Sequence, residues 1–262
     1  MKTIDRRGFI KAAGLTAVSM SGILTGCTGK KDTEGNTAAE GSMTLRTNPN
    51  TSDKVSLLGY GCMRWPMTKD ENGNEIIDQE ATNRLVDYAI EKGVNYFDAA
   101  PVYLQGKCES ATAEALKRHP RESYFIATKL SNFSDSSREN SILMYRKSLE
   151  NFQTDYLDYY LLHSLEDGNN YDPYEQLDCF NWGLQKKREG KIKHFGFSYH
   201  GTPELLEVVL DRHPEIEFVQ IQLNYADWKN PIVHSGELYE ILSRRNVPMI
   251  IMEPVKGGTL AS

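Results

Sequence analysis

The feature that most constrains this chain is an alternation that starts near residue 54 and continues to its end. Short β-branched or aromatic runs occur at 55–61, 94–98, 124–129, 156–163, 192–198, 218–224 and 247–253. Several are apolar at successive positions, as strands covered on both faces require. Helical patterns lie between them. Asp78 is placed to cap a helix carrying Leu85, Val86, Ala89 and Ile90 that Gly93 stops, and 109–117 is a short Ala-rich helix. Ile142, Tyr145, Leu149 and Phe152 share one helical face, and 174–188 is a further helix. Thr202-Pro203 opens a helix that His213-Pro214 closes, and Ser235 is placed to cap one with Leu238, Ile241 and Leu242. Seven strands alternating with six helices build either an open doubly wound sheet or a closed barrel. No GxGxxG follows the first strand: Gly59-Tyr60-Gly61-Cys62 runs into Met63-Arg64-Trp65-Pro66 instead of a helix. Strand starts recur every 26 to 39 residues. The spacing predicts an α/β fold, a (β/α)8 TIM barrel over 54–262 lacking its last βα unit.

The first 53 residues follow a different logic. Residues 1–26 read as an export signal peptide: Arg6-Arg7 opens it, a weakly apolar stretch from Ala12 to Leu24 follows, and Leu24-Thr25-Gly26 precedes Cys27. That stretch is shorter than the ~20 residues that span a bilayer. Arg6-Arg7-Gly8-Phe9-Ile10-Lys11 resembles a twin-arginine signal and the residues before Cys27 resemble a lipobox, which implies lipidation of Cys27 and a membrane-anchored, exported bacterial lipoprotein. Residues 27–53, polar and rich in Gly, Thr and Asn, read as the lipidated Cys followed by a flexible tether. With 30 Lys and Arg against 36 Asp and Glu, and no long basic run, nucleic acid is not an expected partner. The four Cys form no CxxC pair, which removes structural zinc and thioredoxin chemistry.

In a (β/α)8 barrel the chemistry gathers at the C-terminal ends of the strands and in the loops after them. Asp98 ends the second predicted strand, Lys129 the third and His163 the fourth, and Tyr103 lies in the loop after Asp98. Neighbouring strands are ~4.8 Å apart, so these four side chains can converge. Each alone has a structural reading: a strand-end Asp caps, a loop Tyr packs, a Lys reaches water, a lone His sits satisfied in a core. Together they point to acid/base chemistry, with the Lys ammonium lowering the Tyr pKa from ~10 and Asp98 holding the Lys.

Those residues sit in segments that resemble the aldo-keto reductases: LLGYGCMRWP (57–66), AIEKGVNYFDAAPVYLQGKCESATAEALK (89–117), FIATKL (125–130), TDYLDYYLLHSL (154–165), KIKHFGFSYHG (191–201), FVQIQLNY (218–225) and VPMIIMEPVKGG (247–258). The resemblance implies hydride transfer between a nicotinamide cofactor, NADP(H) or NAD(H), and a small-molecule carbonyl or alcohol. It implies Tyr103 as general acid, Lys129 and Asp98 as the pair that tunes it, and His163 as the group that orients the carbonyl oxygen. Ser198 and Gln220 would bond the nicotinamide carboxamide, Met252 falls where the family often stacks a Tyr on the ring, and Pro254, Gly257 and Gly258 would meet the pyrophosphate. Tyr199 stands where the family often has a second carboxamide partner, Asn. LGYGCMRWP and GFSYHG are most similar to a bacterial branch that often carries a C-terminal iron-sulfur segment, yet with no CxxCxxC the chain supports no iron-sulfur cluster.

Other features carry structural readings. Cys62 and Cys108 read as small buried hydrophobes, His194 and His200 do not make a metal site, and 249–252 reads as core. Asp158, Tyr159 and Tyr160 read as a strand whose alternate residues face barrel and helices. Loops 64–76, 164–174 and 227–234 would carry substrate choice. Two rival functions stand beside the oxidoreductase: a membrane-tethered sensor or scaffold that binds cofactor or nothing, and a barrel hydrolase or isomerase. The latter would want a metal cluster or carboxylate pair at the strand ends, and none is evident.

Overall fold

A computed structural model describes residues 42–49 and 51–261; the leader, Cys27 and the first part of the tether lie outside the described residues. In chain order the elements are β1 (Leu45–Thr47), β2 (Lys54–Ser56), β3 (Tyr60–Gly61), β4 (Met67–Lys69), β5 (Glu75–Ile77), α1 (Gln79–Glu91), β6 (Tyr96–Asp98), α2 (Cys108–Leu116), β7 (Phe125–Leu130), α3 (Arg138–Phe152), β8 (Leu157–Leu165), α4 (Tyr171–Gln176), α5 (Cys179–Arg188), β9 (Ile192–Tyr199), α6 (Pro203–Arg212), β10 (Val219–Gln222), α7 (Ser235–Arg244) and β11 (Met249–Met252).

Seven strands form one sheet in the order β3-β6-β7-β8-β9-β10-β11, and each neighbouring pair is parallel. Chain order equals sheet order, the singly wound topology of a barrel and not the reversal of a doubly wound sheet. The sheet is curled: Gln220 on β10 donates to Asp98 on β6 at 3.0 Å although three strands lie between them. Among the described residues, β3 and β11 each have one edge with no further strand. This is the incomplete (β/α)8 barrel the spacing predicts.

Alternation along each strand divides the apolar residues into two cores. Phe97, Leu157, Leu162, Phe197 and Ile221 are fully buried in the large core shared with the helices, each contributing roughly 1.5–3 kcal/mol of transfer free energy. Tyr96, Ala127, Tyr159, Leu161 and Phe218 form a separate cluster inside the curl, joined by Val55, Phe125 and Ile250. Tyr159 faces inward and Tyr160 outward, against Tyr145 and Trp182, as their alternation required. The helices start where the caps allow. Asp78 accepts from the Ala81 N–H and Thr202 from the Leu205 N–H. Gly93, at φ +85°, ends the turn after α1 in a conformation that favours glycine.

Five local readings are corrected. The tether, read through residue 53, already contains β1, which pairs antiparallel with β2. Tertiary bonds fix this hairpin across the N-terminal ends of the strands: the Asn95 side chain accepts from the Ser56 N–H and donates to the Lys54 carbonyl, and Asp53 meets His194 at 2.5 Å. The run at 55–61 is accordingly split, with only Tyr60–Gly61 in the barrel. The loop at 64–76 contains the β4–β5 ribbon, turned by Asp70, whose carboxylate accepts from the Asn72 and Asn74 N–H groups. The helix read over 174–188 breaks into α4 and α5 at Asp178, which adopts a left-handed φ of +56°. Ser235 does not cap α7; its hydroxyl donates to the Gln222 carbonyl, and His234 holds the cap position.

Candidate active site

The four residues singled out at the strand ends come together. Lys129 is 1% exposed, at the inner end of β7, and its ammonium donates to Asp98 Oδ1 at 2.5 Å and to the Ala99 carbonyl at 2.8 Å. Tyr103 lies over it, the Lys129 Nζ being 5.0 Å from the ring centroid. His163 presents its ring edge-on to Tyr103, centroids 5.7 Å apart. Strand period two puts Lys129 on the inner face with Ala127, and the turn after β6 swings Tyr103 back over it.

The electrostatics differ from the sequence expectation in one respect. Burial is the largest influence on Tyr103 and pushes its phenol above the ordinary range, with Lys129 pulling the other way and Asp98 pushing up again. The expected lowering by Lys129 therefore does not win. Burial alone would depress the Lys129 ammonium, yet Asp98 and Tyr103 hold it above the ordinary lysine range. Burial, then Lys129 and His200, push His163 well below its ordinary value, so its imidazole is neutral at neutral pH. The site offers a protonated phenol, a permanent cation beneath it and a neutral imidazole beside it.

Of the other residues implied by the resemblance, Gln220 reaches this group directly, through Asp98. Ser198 and Gln220 are register partners on adjacent strands. Ser198 Oγ accepts from the Ser164 N–H at 2.7 Å, which leaves its hydroxyl hydrogen to donate, while the Gln220 amide nitrogen is committed to Asp98, which leaves the amide oxygen to accept. Tyr199 is turned away, donating its hydroxyl to the Thr202 carbonyl at 2.5 Å. Met252 is half-buried opposite Gln222. Pro254 leads into a turn in which Gly257 and Gly258 have φ of +65° and +101°, and a Cβ on Gly258 would meet nothing within 4 Å.

Three contributors had gone unremarked. Ser131, two residues beyond Lys129 and therefore on the same strand face, meets His163 Nδ1 at 2.5 Å. Tyr174 donates its hydroxyl to the Leu130 carbonyl at 2.7 Å and accepts from the His163 N–H at 3.2 Å, tying the ends of β7 and β8 together. Arg64 brings its guanidinium 3.3 Å from where a Cβ on Gly257 would stand. Period two in β7 could have flagged Ser131; nothing in the local sequence marks the other two. Cys62 and Cys108 are buried thiols, Cys108 donating to the Cys62 carbonyl at 3.3 Å, and burial pushes Cys108 up to about 11. Among the described residues no group of three or more His, Cys, Asp or Glu is arranged to hold a metal ion.

A singly wound parallel sheet curled as an incomplete barrel, with Tyr103, Lys129, Asp98 and a neutral His163 gathered at the C-terminal ends of its strands, defines a class of barrel proteins. Within it, residues 57–262 match the aldo/keto reductase family, and the chain belongs to that family. It is 28% identical over 220 residues to an uncharacterised oxidoreductase of Bacillus subtilis, covering 80% of this chain and 64% of the relative. It is 31% identical over 229 residues to the L-galactose dehydrogenase of Arabidopsis thaliana, covering 82% and 66%. Among solved structures, the holo form of an aldo-keto reductase from Bacillus halodurans matches with a TM-score of 0.66 at 27% identity, covering 82% of this chain and 68% of that one. The chain thus spans less than two thirds of the length of these two curated relatives.

Proposed function

We propose that this chain is a nicotinamide-dependent oxidoreductase, with NADP(H) as cofactor and NAD(H) as the alternative, that interconverts a small-molecule carbonyl and its alcohol. One observation carries the reading: Lys129, almost wholly buried, is bound to Asp98 and lies under the Tyr103 ring, with His163 alongside. The donor set fits the cofactor. Ser198 retains one donor and Gln220 one acceptor in adjacent register, the complement of a primary carboxamide. Gly257 and Gly258 keep side chains clear of the turn after β11, and the Arg64 guanidinium supplies a cation there suited to phosphate.

When bound, the cofactor supplies or accepts the hydride. Tyr103 donates the phenolic proton to the carbonyl oxygen in reduction. Its raised pKa keeps that proton in place at neutral pH, and the Lys129 ammonium stabilises the phenolate left behind. Asp98 holds Lys129 in place, and Gln220 in turn holds Asp98. His163, neutral, donates to the same oxygen and sets its direction. In the oxidative direction the phenolate of Tyr103 takes the alcohol proton back. The test is a fluorescence titration with NADPH and NADH, followed by carbonyl-dependent loss of reduced-nicotinamide absorbance across aldehydes and ketones. Binding of neither nucleotide defeats the reading.

For location we propose export and membrane attachment through lipidated Cys27, supported by Arg6-Arg7 and by Leu24-Thr25-Gly26-Cys27. Cys27→Ser should release soluble protein, and Lys-Lys at positions 6 and 7 should retain it inside the cell. Wild-type fractionation of both variants would defeat the proposal.

A further inference from the structure

We propose that Ser131 locks the tautomer of His163: its hydroxyl donates to Nδ1 and so keeps the imidazole proton on Nε2, the nitrogen left for a substrate oxygen. The inference rests on the reductase reading for its purpose, though not for its geometry. Ser131 is 2% exposed and His163 8%, and their contact is 2.5 Å. Hydrogen accounting decides which atom donates. A hydroxyl buried this deeply must place its hydrogen on an acceptor, and among the described residues Nδ1 is the one side-chain or backbone acceptor bonded to Ser131 Oγ. The reverse polarity, Nδ1–H donating to Oγ, would leave the Ser131 hydrogen stranded and strip Nε2 of its proton. That imidazole could accept from a substrate but could not donate to a carbonyl oxygen.

The surroundings hold this arrangement still. The Ser131 N–H points at Met144 Sδ, 3.1 Å away on α3, and the next residue, Asn132, donates its side-chain amide to Ser141 Oγ at 2.8 Å on the same helix. From the other side Tyr174 bonds both the Leu130 carbonyl and the His163 N–H, fixing the separation of the two strand ends. The ring is flanked by Tyr103 and by Phe133, whose centroid lies 5.1 Å away. Among the described residues no protein group bonds Nε2. Ser131 is therefore a positioning residue, acting through His163 without touching the substrate.

Long-range proton–nitrogen correlation spectra of the ¹⁵N-histidine-labelled chain read the tautomer directly, with His163→Gln assigning the signals. The wild type should show Nε2 protonated and Nδ1 bare at neutral pH. Ser131→Ala should move the nitrogen shifts toward a tautomer mixture and lower kcat for carbonyl reduction roughly tenfold, the worth of one hydrogen bond near 1.4 kcal/mol. NADPH affinity should stay near wild type, and Ser131→Thr, which keeps the hydroxyl, should restore both the shifts and the rate. An Nδ1-protonated wild type, or an unchanged tautomer in a folded Ser131→Ala protein, overturns the lock. A tautomer that follows Ser131 in a protein that binds no nicotinamide nucleotide upholds the lock and overturns the reductase reading instead.

Discussion

The strands carry a buried charged cluster at each end, and the two are built on opposite principles. At the N-terminal end Asp158, 1% exposed, accepts from the Ile126 N–H at 2.9 Å and meets Arg121 at 2.5 Å and Lys193 at 2.9 Å. Nearby, His194 lies between Asp53 and Glu217, and Glu217 also meets Lys187 at 2.5 Å and accepts from the Phe195 N–H. There the carboxylates are surrounded by donors. At the C-terminal end Lys129 and Asp98 are equally well bound, but the groups above them keep atoms in reserve: the Tyr103 phenolic proton, His163 Nε2, the Gln220 amide oxygen and the Ser198 hydroxyl hydrogen. A cluster whose carboxylates are each matched by donors of the same chain stabilises the fold; one that leaves donors and acceptors at a mouth is arranged for something that binds there.

That contrast breaks first if the two ends respond alike to mutation. Tyr103→Phe should leave the melting temperature and NADPH affinity near wild type while carbonyl reduction falls by a factor on the order of 10² to 10⁴, about 3–5 kcal/mol of barrier. Steady-state rates with retained cofactor fluorescence quenching would register it, and near-normal turnover removes Tyr103 from the chemistry. Asp158→Ala should do the reverse. It breaks a buried ion cluster at a cost of about 3 kcal/mol, the low end for such losses because Arg121 and Lys193 can rehydrate. Calorimetry should find the melt lowered by roughly 10 °C, with kcat of the folded protein unchanged.

Tyr174→Phe should fall between these two, since its hydroxyl belongs to the scaffold yet sets the spacing of Lys129 and His163. Loss of its bonds to the Leu130 carbonyl and the His163 N–H should cost about 1–2 kcal/mol and lower kcat without weakening cofactor binding. The smallest effect concerns pH. His163 is held neutral in the folded state and titrates near 6.5 when unfolded, so below that pH the unfolded chain binds the extra proton. Its contribution to stability is complete above about pH 6.5 and is lost progressively as pH falls below it. The melting temperature of His163→Gln should consequently drop less between pH 7 and pH 5 than that of the wild type; equal drops would mean that the site does not suppress protonation of His163.

Period and punctuation alone made the barrel legible. Parallel strands buried on two faces need runs apolar at successive positions, helices need a stripe, and the lengths between strands exclude hairpins, so the seven strands of the sheet, the (β/α)8 class and the strand-end placement of Asp98, Lys129 and His163 were all readable from residue order. Where a residue's role depends on what lies across space, the chain was silent. The β1–β2 hairpin forms because Asn95 and His194, far away in sequence, hold it, and nothing in a Gly- and Asn-rich segment announces that. The sign of the Tyr103 shift came out opposite to expectation because burial, which outweighs the neighbouring ammonium, is a property of the packed state. Gln220 reaches Asp98 and Ser131 reaches His163 only once the sheet has curled and neighbouring strands have registered, and hydrogen bonds act over about 3 Å whatever the separation along the chain. The sequence by itself therefore determined which residues could stand at the mouth of the barrel, through local periodicity; only the tertiary structure decided which of their atoms are spent on one another and which are left for a ligand.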